Sequence, residues 1–316
     1  MAEKTSPNRA TLGRAAAMIR AGKLVAFPTE TVYGLGANAL ETEAVERIYR
    51  AKGRPPASPV IVHVSSIEMA RRLVAEWPSQ AEKLVRRYWP GPLTLVLPKD
   101  PVIPGIVTAG LATVGLRMPS HPVALELIRL AGVPIAAPSA NRFTELSPTT
   151  AGHVLESLGD SVDLILDGGP CSVGIESTVL SLAAGRPLLL RPGMVTQKDL
   201  EALIGPIELA GRIENGRAHP SPGMHHRHYS PMTALVLVEN GAVPATGRGA
   251  YLWICCSAPA VRSIAMPAEA SAYGTLLYDT LHRLDREGWD WIAVEKPPEG
   301  PEWAAIRDRL ERAQKI

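Results

Sequence analysis

Leu24-Val25-Ala26-Phe27-Pro28-Thr29-Glu30-Thr31-Val32-Tyr33-Gly34-Leu35-Gly36 begins as an apolar, strand-like run and breaks at a proline. Two threonines and a glutamate follow, then the glycine-bearing segment Gly34-Leu-Gly36-Ala-Asn-Ala39. Hydroxyl and carboxylate groups directly after a buried strand lie where open α/β sheets place their ligands, outside strand carboxyl ends. The glycine segment mimics the G-x-G-x-x-A turn of dinucleotide-binding folds. The acid expected about 20 residues later is missing, because that stretch reads Pro55-Pro56-Ala57-Ser58-Pro59. A structural glycine turn is therefore the expected reading.

Outward from this segment, residues 1–205 alternate strand-like and helix-like stretches. Strand candidates are Leu24–Pro28, Val60–Val64, Leu93–Pro98, Val114–Arg117, Ile135–Pro138, Leu164–Asp167, Thr178–Leu182 and Leu188–Arg191. Helix candidates include Thr11–Ala21, Thr42–Lys52, Ser66–Glu76, Ser79–Tyr88, Val123–Ala131 and Thr149–Leu158. This order predicts an α/β or α+β sheet domain. Residues 206–232 have no sustained period and are dense in Gly, Pro, His and Arg, as a long linker would be. In residues 233–316, strand-like Ala234–Val238, Tyr251–Cys255 and Trp291–Val294 accompany two helical stretches, Ala270–Glu287 and Glu302–Ala313. Tyr273, Leu276, Leu277, Leu281 and Leu284 fall on one stripe of the first helix. A small Rossmann-like layer is expected there.

Composition narrows the function. The chain has 316 residues, with 33 Lys+Arg against 31 Asp+Glu, too balanced to favour broad nucleic-acid or acidic-membrane binding. Two Phe, seven Tyr and six Trp leave few platforms for stacking bases. The longest apolar run, Gly249–Val261, includes Ser257 and Pro259 and is shorter than the ~20 residues of a membrane span. Three cysteines, two of them adjacent at Cys255 and Cys256, build neither a disulfide framework nor a zinc pair. The basic N-terminal stretch runs straight into the Leu24 strand, so a first helix is expected there, in a cytoplasmic protein. Gly 27 and Pro 29 are in excess without a collagen period, which points to many shaped turns.

Several motifs place polar groups where strands end. Lys52-Gly-Arg54-Pro-Pro-Ala-Ser58-Pro59 closes a helix, and its prolines fix an extended loop that holds two cations at a corner suited to a polyanion. His63 interrupts the apolar run Val60–Val64. Arg117 and Arg191 each end an apolar strand just before a proline, and Glu176-Ser177-Thr178 opens another. Ala137-Pro138-Ser139-Ala140-Asn141 follows a strand without the G-x-S-x-G setting of a covalent nucleophile. Ser147-Pro148 reads as an N-cap and first helical residue, a position that also receives phosphate. His219, His225, His226 and His228 crowd the linker, but their spacing is poor for a metal and no acid or cysteine completes a ligand set.

Taken in order, these segments resemble the threonylcarbamoyl-AMP synthase family in its two-domain form. The matching residues are Phe27–Gly36, Lys52-Gly-Arg-Pro55, Ala137–Asn141, Ser147–Thr150, Glu176–Val179, Leu190-Arg-Pro-Gly193 and the linker stretch 223–231. The resemblance implies a YrdC-like twisted open sheet with helices over 1–205. It further implies a linker or lid over the site at 206–232 and a small Rossmann-like C-terminal α/β domain at 233–316. It implies synthesis of threonylcarbamoyl-AMP and pyrophosphate from L-threonine, bicarbonate and ATP. The product would serve a separate threonylcarbamoyl transferase that modifies tRNA beside the anticodon, with tRNA itself bound weakly or not at all.

Residue roles carry over where the motifs match. By resemblance Thr31, His63, Arg117, Ala137 and Ser177 hold L-threonine. Arg54, Ser58, Thr113, Ser139, Ser147 and Arg191 hold ATP, with Tyr229 closing over the nucleotide. Lys52 and Arg54 steady the carbamate and phosphates. ATP enters as a substrate with Mg2+ as its counter-ion, and no redox cofactor or resident metal is expected. The chain departs from the family pattern at Ser58, where Asn is usual, at His226, where Tyr is commoner, and over Gly300–Ile306. Two other readings remain at this point: a structured-RNA binding module using the mildly basic first domain, and a carbamoyl transferase related to those of hydrogenase maturation. The latter carry zinc-finger cysteines that this chain lacks.

Overall fold

A computed structural model describes residues 2–211 and 229–314. The first sheet uses β1 (Glu3–Thr5), β2 (Val25–Phe27), β3 (Gly34–Asn38), β4 (Val62–His63), β5 (Leu93–Pro98) and β6 (Thr113–Arg117). It continues with β7 (Ile135–Ala136), β8 (Leu164–Leu166), β9 (Thr178–Ser181), β10 (Leu188–Arg191) and β11 (Glu208–Leu209). Their spatial order is β1-β8-β2-β3-β7-β4-β6-β5-β9-β10-β11, with parallel and antiparallel neighbours mixed. Helices α1 (Arg9–Arg20), α2 (Thr42–Lys52), α3 (Ile67–Arg71), α4 (Ser79–Tyr88), α5 (Pro122–Ala131), α6 (Ala151–Leu158) and α7 (Gln197–Ile204) lie between the strands.

Strand alternation sorts the core into two layers. Val25 and Phe27 of β2 face α1 and α5, packing on Ile19, Leu127 and Ile128. Leu24 and Ala26 point the other way, into the larger core with Val45 and Ile48 of α2 and Leu84 of α4. The N-terminal stretch is a structural helix here: Asn8 and Thr11 form a reciprocal capping box at the start of α1.

The expected glycine turn is instead strand β3, buried along its whole length and antiparallel to β2 and β7. A Cβ on Gly36 would meet Phe27 Cε1 at 2.7 Å and Ile135 Cγ2 at 2.9 Å. The glycine makes room for an aromatic ring rather than for a pyrophosphate. Other expectations shift less. Ser66–Glu76 shortens to α3, and Ser147 does not cap α6. The chain stays extended there because the Pro148 carbonyl accepts from Tyr33 N at 2.8 Å, and Thr150 caps the helix three residues later.

The second sheet is parallel throughout, with β12 (Ala234–Val238), β13 (Gly249–Trp253), β14 (Arg262–Ala265) and β15 (Trp291–Glu295) in the order β12-β15-β13-β14. Helices α8 (Ala270–Arg286) and α9 (Ala304–Ala313) cover one face. Tyr273, Leu277, Leu281 and Leu284 of the expected stripe are buried, whereas Leu276 at its edge is 45% exposed. Among the described residues no helix is long and apolar enough to cross a membrane.

The two sheets share an apolar seam. Val32, Leu146 and Ile175 of the first region pack in one cluster with Tyr273, Leu277 and Tyr278 of α8 and with Tyr229. Burial of each aliphatic side chain contributes about 1.5–3 kcal/mol. One tight approach is at Gly174, whose φ of +81° and lack of a side chain let it lie against α8: a Cβ there would sit 2.4 Å from the Gly274 carbonyl oxygen. Gly174→Ala is therefore expected to lower unfolding free energy by about 1–3 kcal/mol, read from the denaturant midpoint. An unchanged midpoint would mean that the seam is looser than this contact implies.

Candidate active site

A small cleft opens between the β2–β3–β7 part of the first sheet and its β9–β10 part. The loop after β2 contributes Thr29, Thr31 and Val32; β4 ends in His63 and β6 in Arg117. Pro138 and Ser139 follow β7, Glu176 and Ser177 precede β9, and Arg191 ends β10. Arg54, Ala137 and Tyr229 complete the polar and apolar lining relevant here.

Of the residues singled out in the sequence, Thr31, Arg54, His63, Arg117, Ala137, Ser139, Ser177, Arg191 and Tyr229 thus share one cleft. Lys52, Ser58, Thr113 and Ser147 do not line it. Lys52 is buried at the end of α2, where Nζ donates to the Ser139 carbonyl at 2.6 Å and to the Asn141 carbonyl. Burial, with the Arg54 charge, pushes its ammonium well below the usual lysine range. The Ser58 carbonyl accepts from Tyr49 Oη at 2.8 Å. Thr113 starts β6, at the other end of the strand from Arg117. Ser147 is buried behind the lining and donates to Glu176 Oε1. The four linker histidines lie outside the described residues.

One side of the cleft is built around Arg117 and His63. Arg117 Nη2 lies 2.7 Å from Glu30 Oε1, and Nη1 donates to Thr31 Oγ1 at 2.8 Å. Thr29 and Thr31 share a hydroxyl hydrogen bond of 2.9 Å, which fixes the loop after β2. His63 is buried and its Nδ1 has no hydrogen-bond partner. Burial, and the Arg117 charge, hold the imidazole down to about 3, so the ring is neutral at physiological pH. His63 lines the cleft as a neutral ring, and such a ring can bond a ligand amine or hydroxyl.

The other side carries the cations. Arg54 Nη2 donates to the Pro59 carbonyl at 2.9 Å, and its guanidinium lies 5.8 Å from the centre of the Phe143 ring. Burial brings Arg54 down to about 10, which still leaves it charged. Arg191 Nε donates to the Ser177 carbonyl at 3.1 Å and Nη2 to Ser177 Oγ at 3.2 Å. Ser177 is fixed further by Thr94, whose hydroxyl is 2.8 Å away. Glu176 is the exception to this positive lining, and its carboxylate accepts from Ser147, Tyr278 and Arg309. Burial pushes Glu176 up, but the Arg309 and Arg191 charges and the Ser147 hydroxyl outweigh it and hold the group below the usual carboxylate range.

Glu30, Glu176, Tyr278 and Arg309 are site residues that the sequence reading did not assign. Glu30 and Glu176 sit inside quoted motifs, but their partners are remote in sequence. Arg309 had one available signal, its place on the apolar face of α9 with Ala305, Ile306, Leu310 and Ala313.

Comparison with known proteins fits this arrangement. A family model described as "Telomere recombination" matches residues 17–193, and one described as "Threonylcarbamoyl-AMP synthase, C-terminal domain" matches residues 195–314. The chain is 43% identical to threonylcarbamoyl-AMP synthase of Bacillus subtilis, covering 98% of this chain and 95% of that one. The chain belongs to the threonylcarbamoyl-AMP synthase family. It is 42% identical to the synthase of Pyrococcus abyssi, covering 95% and 92% of the two chains. The crystal structure of Pyrococcus abyssi Sua5 complexed with L-threonine superposes with a TM-score of 0.91 at 39% identity, covering 99% of this chain and 96% of that one.

The neutral state of His63 has a consequence for stability. The unfolded ring titrates near 6.5, so between pH 6.5 and about 3 the unfolded chain takes up a proton that the folded chain refuses. Stability then falls as pH drops through that window, by up to about 1.4 kcal/mol per pH unit from this group. Chemical denaturation at pH 7 and pH 5 is expected to show about 2 kcal/mol less acid loss in His63→Gln than in the parent. Equal losses would place the parent ring in a more hydrated setting.

Proposed function

We propose that this cleft makes threonylcarbamoyl-AMP and pyrophosphate from L-threonine, bicarbonate and ATP. The observation that carries the reading is the division of one buried cleft into a side with neutral His63 and paired Arg117 and a side with Arg54 and Arg191, in a chain of this family. In this reading Thr31, His63, Arg117, Ala137 and Ser177 hold the amino acid. Arg54, Ser139 and Arg191 hold the triphosphate, and Tyr229 closes over the nucleotide. Ser58, Thr113, Ser147 and Lys52 act from outside the lining: Lys52 fixes the carbonyls of Ser139 and Asn141 and adds positive potential beneath the phosphates.

The reaction has two steps. The free amine of threonine attacks bicarbonate carbon, water leaves, and a carbamate forms. A carbamate oxygen then attacks the α-phosphorus, and pyrophosphate leaves. Two unit anions about 4 Å apart repel by about 4 kcal/mol at an effective dielectric of 20. Carbamate and triphosphate therefore come together only among cations, which Arg54 and Arg191 supply. The rest is positioning: holding both reactants raises their effective concentration, and no protein nucleophile is required.

A magnesium ion accompanies the triphosphate in this reading and neutralises part of its charge. Such an ion needs few protein ligands, and among the described residues no group of three or more His, Cys, Asp or Glu converges to hold one. The catalytic work belongs to residues 1–205, with 233–316 supporting it; most of the expected linker, residues 212–228, lies outside the described residues. The product goes in the cytoplasm to a separate transferase that modifies tRNA, and tRNA itself binds weakly or not at all.

Pyrophosphate release tests the reading when each of the three substrates is omitted in turn. Release should need both threonine and bicarbonate; release indifferent to either contradicts it. In the same assay, Arg54→Ala should raise the KM for ATP by about tenfold or more, as expected for losing a charged contact to phosphate. Thr31→Ala should act on the KM for threonine instead, and an effect of both variants on one substrate only would overturn the two-sided assignment.

A further inference from the structure

The second domain reaches Glu176 in the wall of the cleft through two side chains, Arg309 and Tyr278. Arg309 of α9 is 1% exposed. Its Nε donates to Glu176 Oε2 at 2.8 Å, its Nη1 to the Pro192 carbonyl at 3.0 Å and to Asp308 Oδ2 at 2.8 Å. Its guanidinium also lies 5.2 Å from the centre of the Tyr229 ring. Glu176 directly precedes Ser177, and Pro192 directly follows Arg191. A single cation therefore ties together the two segments that present Ser177 and Arg191 and backs the tyrosine beside them.

Glu176 gives this contact its chemical meaning. It is a buried carboxylate in the wall of a cleft whose proposed substrates are anions. Left without its cation, it would repel phosphate and compete with phosphate for Arg191, whose charge already acts on it. Arg309, with Tyr278 Oη at 3.2 Å, satisfies the carboxylate from behind. Domain docking has separate support in the apolar seam and in the approach of Gly174 to Gly274. We propose that Arg309 is a positioning residue for the nucleotide half of the cleft: it neutralises Glu176 and clamps the Pro192 carbonyl, so that Arg191 and Tyr229 are presented to ATP. This rests on the assignment of Arg191 and Tyr229 to the nucleotide.

The test uses the full-length protein, pyrophosphate release with ATP and threonine varied separately, and thermal melting of every variant. Arg309→Met is expected to raise the KM for ATP by about tenfold or more while the KM for threonine stays within about twofold. Adding Glu176→Gln, which removes the unpaired charge, should bring the KM for ATP back to within about threefold of the parent. Both KM values rising together, or a double variant no better than the single one, would show that Arg309 only holds the domains together and would overturn the proposal. If Arg309→Met does not fold, Arg309→Gln gives the same reading, because the amide keeps a donor but brings no charge to Glu176. A parental KM for ATP in that variant overturns the proposal, and a selective rise supports it. Arg191→Ala separates the two layers of the argument. A parental KM for ATP in Arg191→Ala would sink the nucleotide assignment and the proposal with it. A raised value there with no effect of Arg309→Met would sink the positioning role alone.

Discussion

Burying positive charge is costly unless each cation is held, and this cleft has three buried arginines in its lining, Arg54, Arg117 and Arg191, with Lys52 buried behind it. The chain holds most of them with backbone carbonyls in preference to acids. The Ser139 and Asn141 carbonyls take Lys52, the Ser58 and Pro59 carbonyls take Arg54, and the Ser177 carbonyl takes Arg191. Carbonyl dipoles hold a cation in place without cancelling its charge. The loops that follow α2 and β7 are consequently wound around the groups they display, and the prolines in them keep those carbonyls where they are needed.

Arg117 is treated differently, since Glu30 neutralises it. The result is an electrical gradient across one small space, from a nearly neutral end at His63 to a positive end at Arg54 and Arg191. An amino acid carrying both charges suits the first and a triphosphate suits the second. The opposing feature, Glu176, is covered by a residue from the other domain. Helix α9 thus brings the C-terminal region to the wall of the cleft, a contact that its parallel, Rossmann-like topology alone would not suggest.

Much of this was legible in the sequence because the groups involved follow apolar strands within a few residues. His63, Arg117 and Arg191 announce themselves in that way, and the order of elements predicts an α/β or α+β sheet domain. What was not legible depends on contacts remote in sequence. Gly34 and Gly36 look like a turn, and only the Phe27 ring across the hairpin explains why they are strand. Ser147 looks like a helix cap, and only the Tyr33 amide drawing on Pro148 delays the helix to Thr150. Glu30 meets Arg117 across three intervening helices and three strands of sequence, and Glu176 meets Arg309 across most of the C-terminal domain.

If amino acid and nucleotide occupy opposite ends of this gradient, a co-crystal structure with L-threonine and a non-hydrolysable ATP analogue should show both in one cleft. The threonine is expected against Thr31, His63 and Arg117, and the triphosphate against Arg54 and Arg191 with Tyr229 over the nucleoside. A triphosphate bound away from Arg54 and Arg191, or a threonine seated among them, would contradict that arrangement.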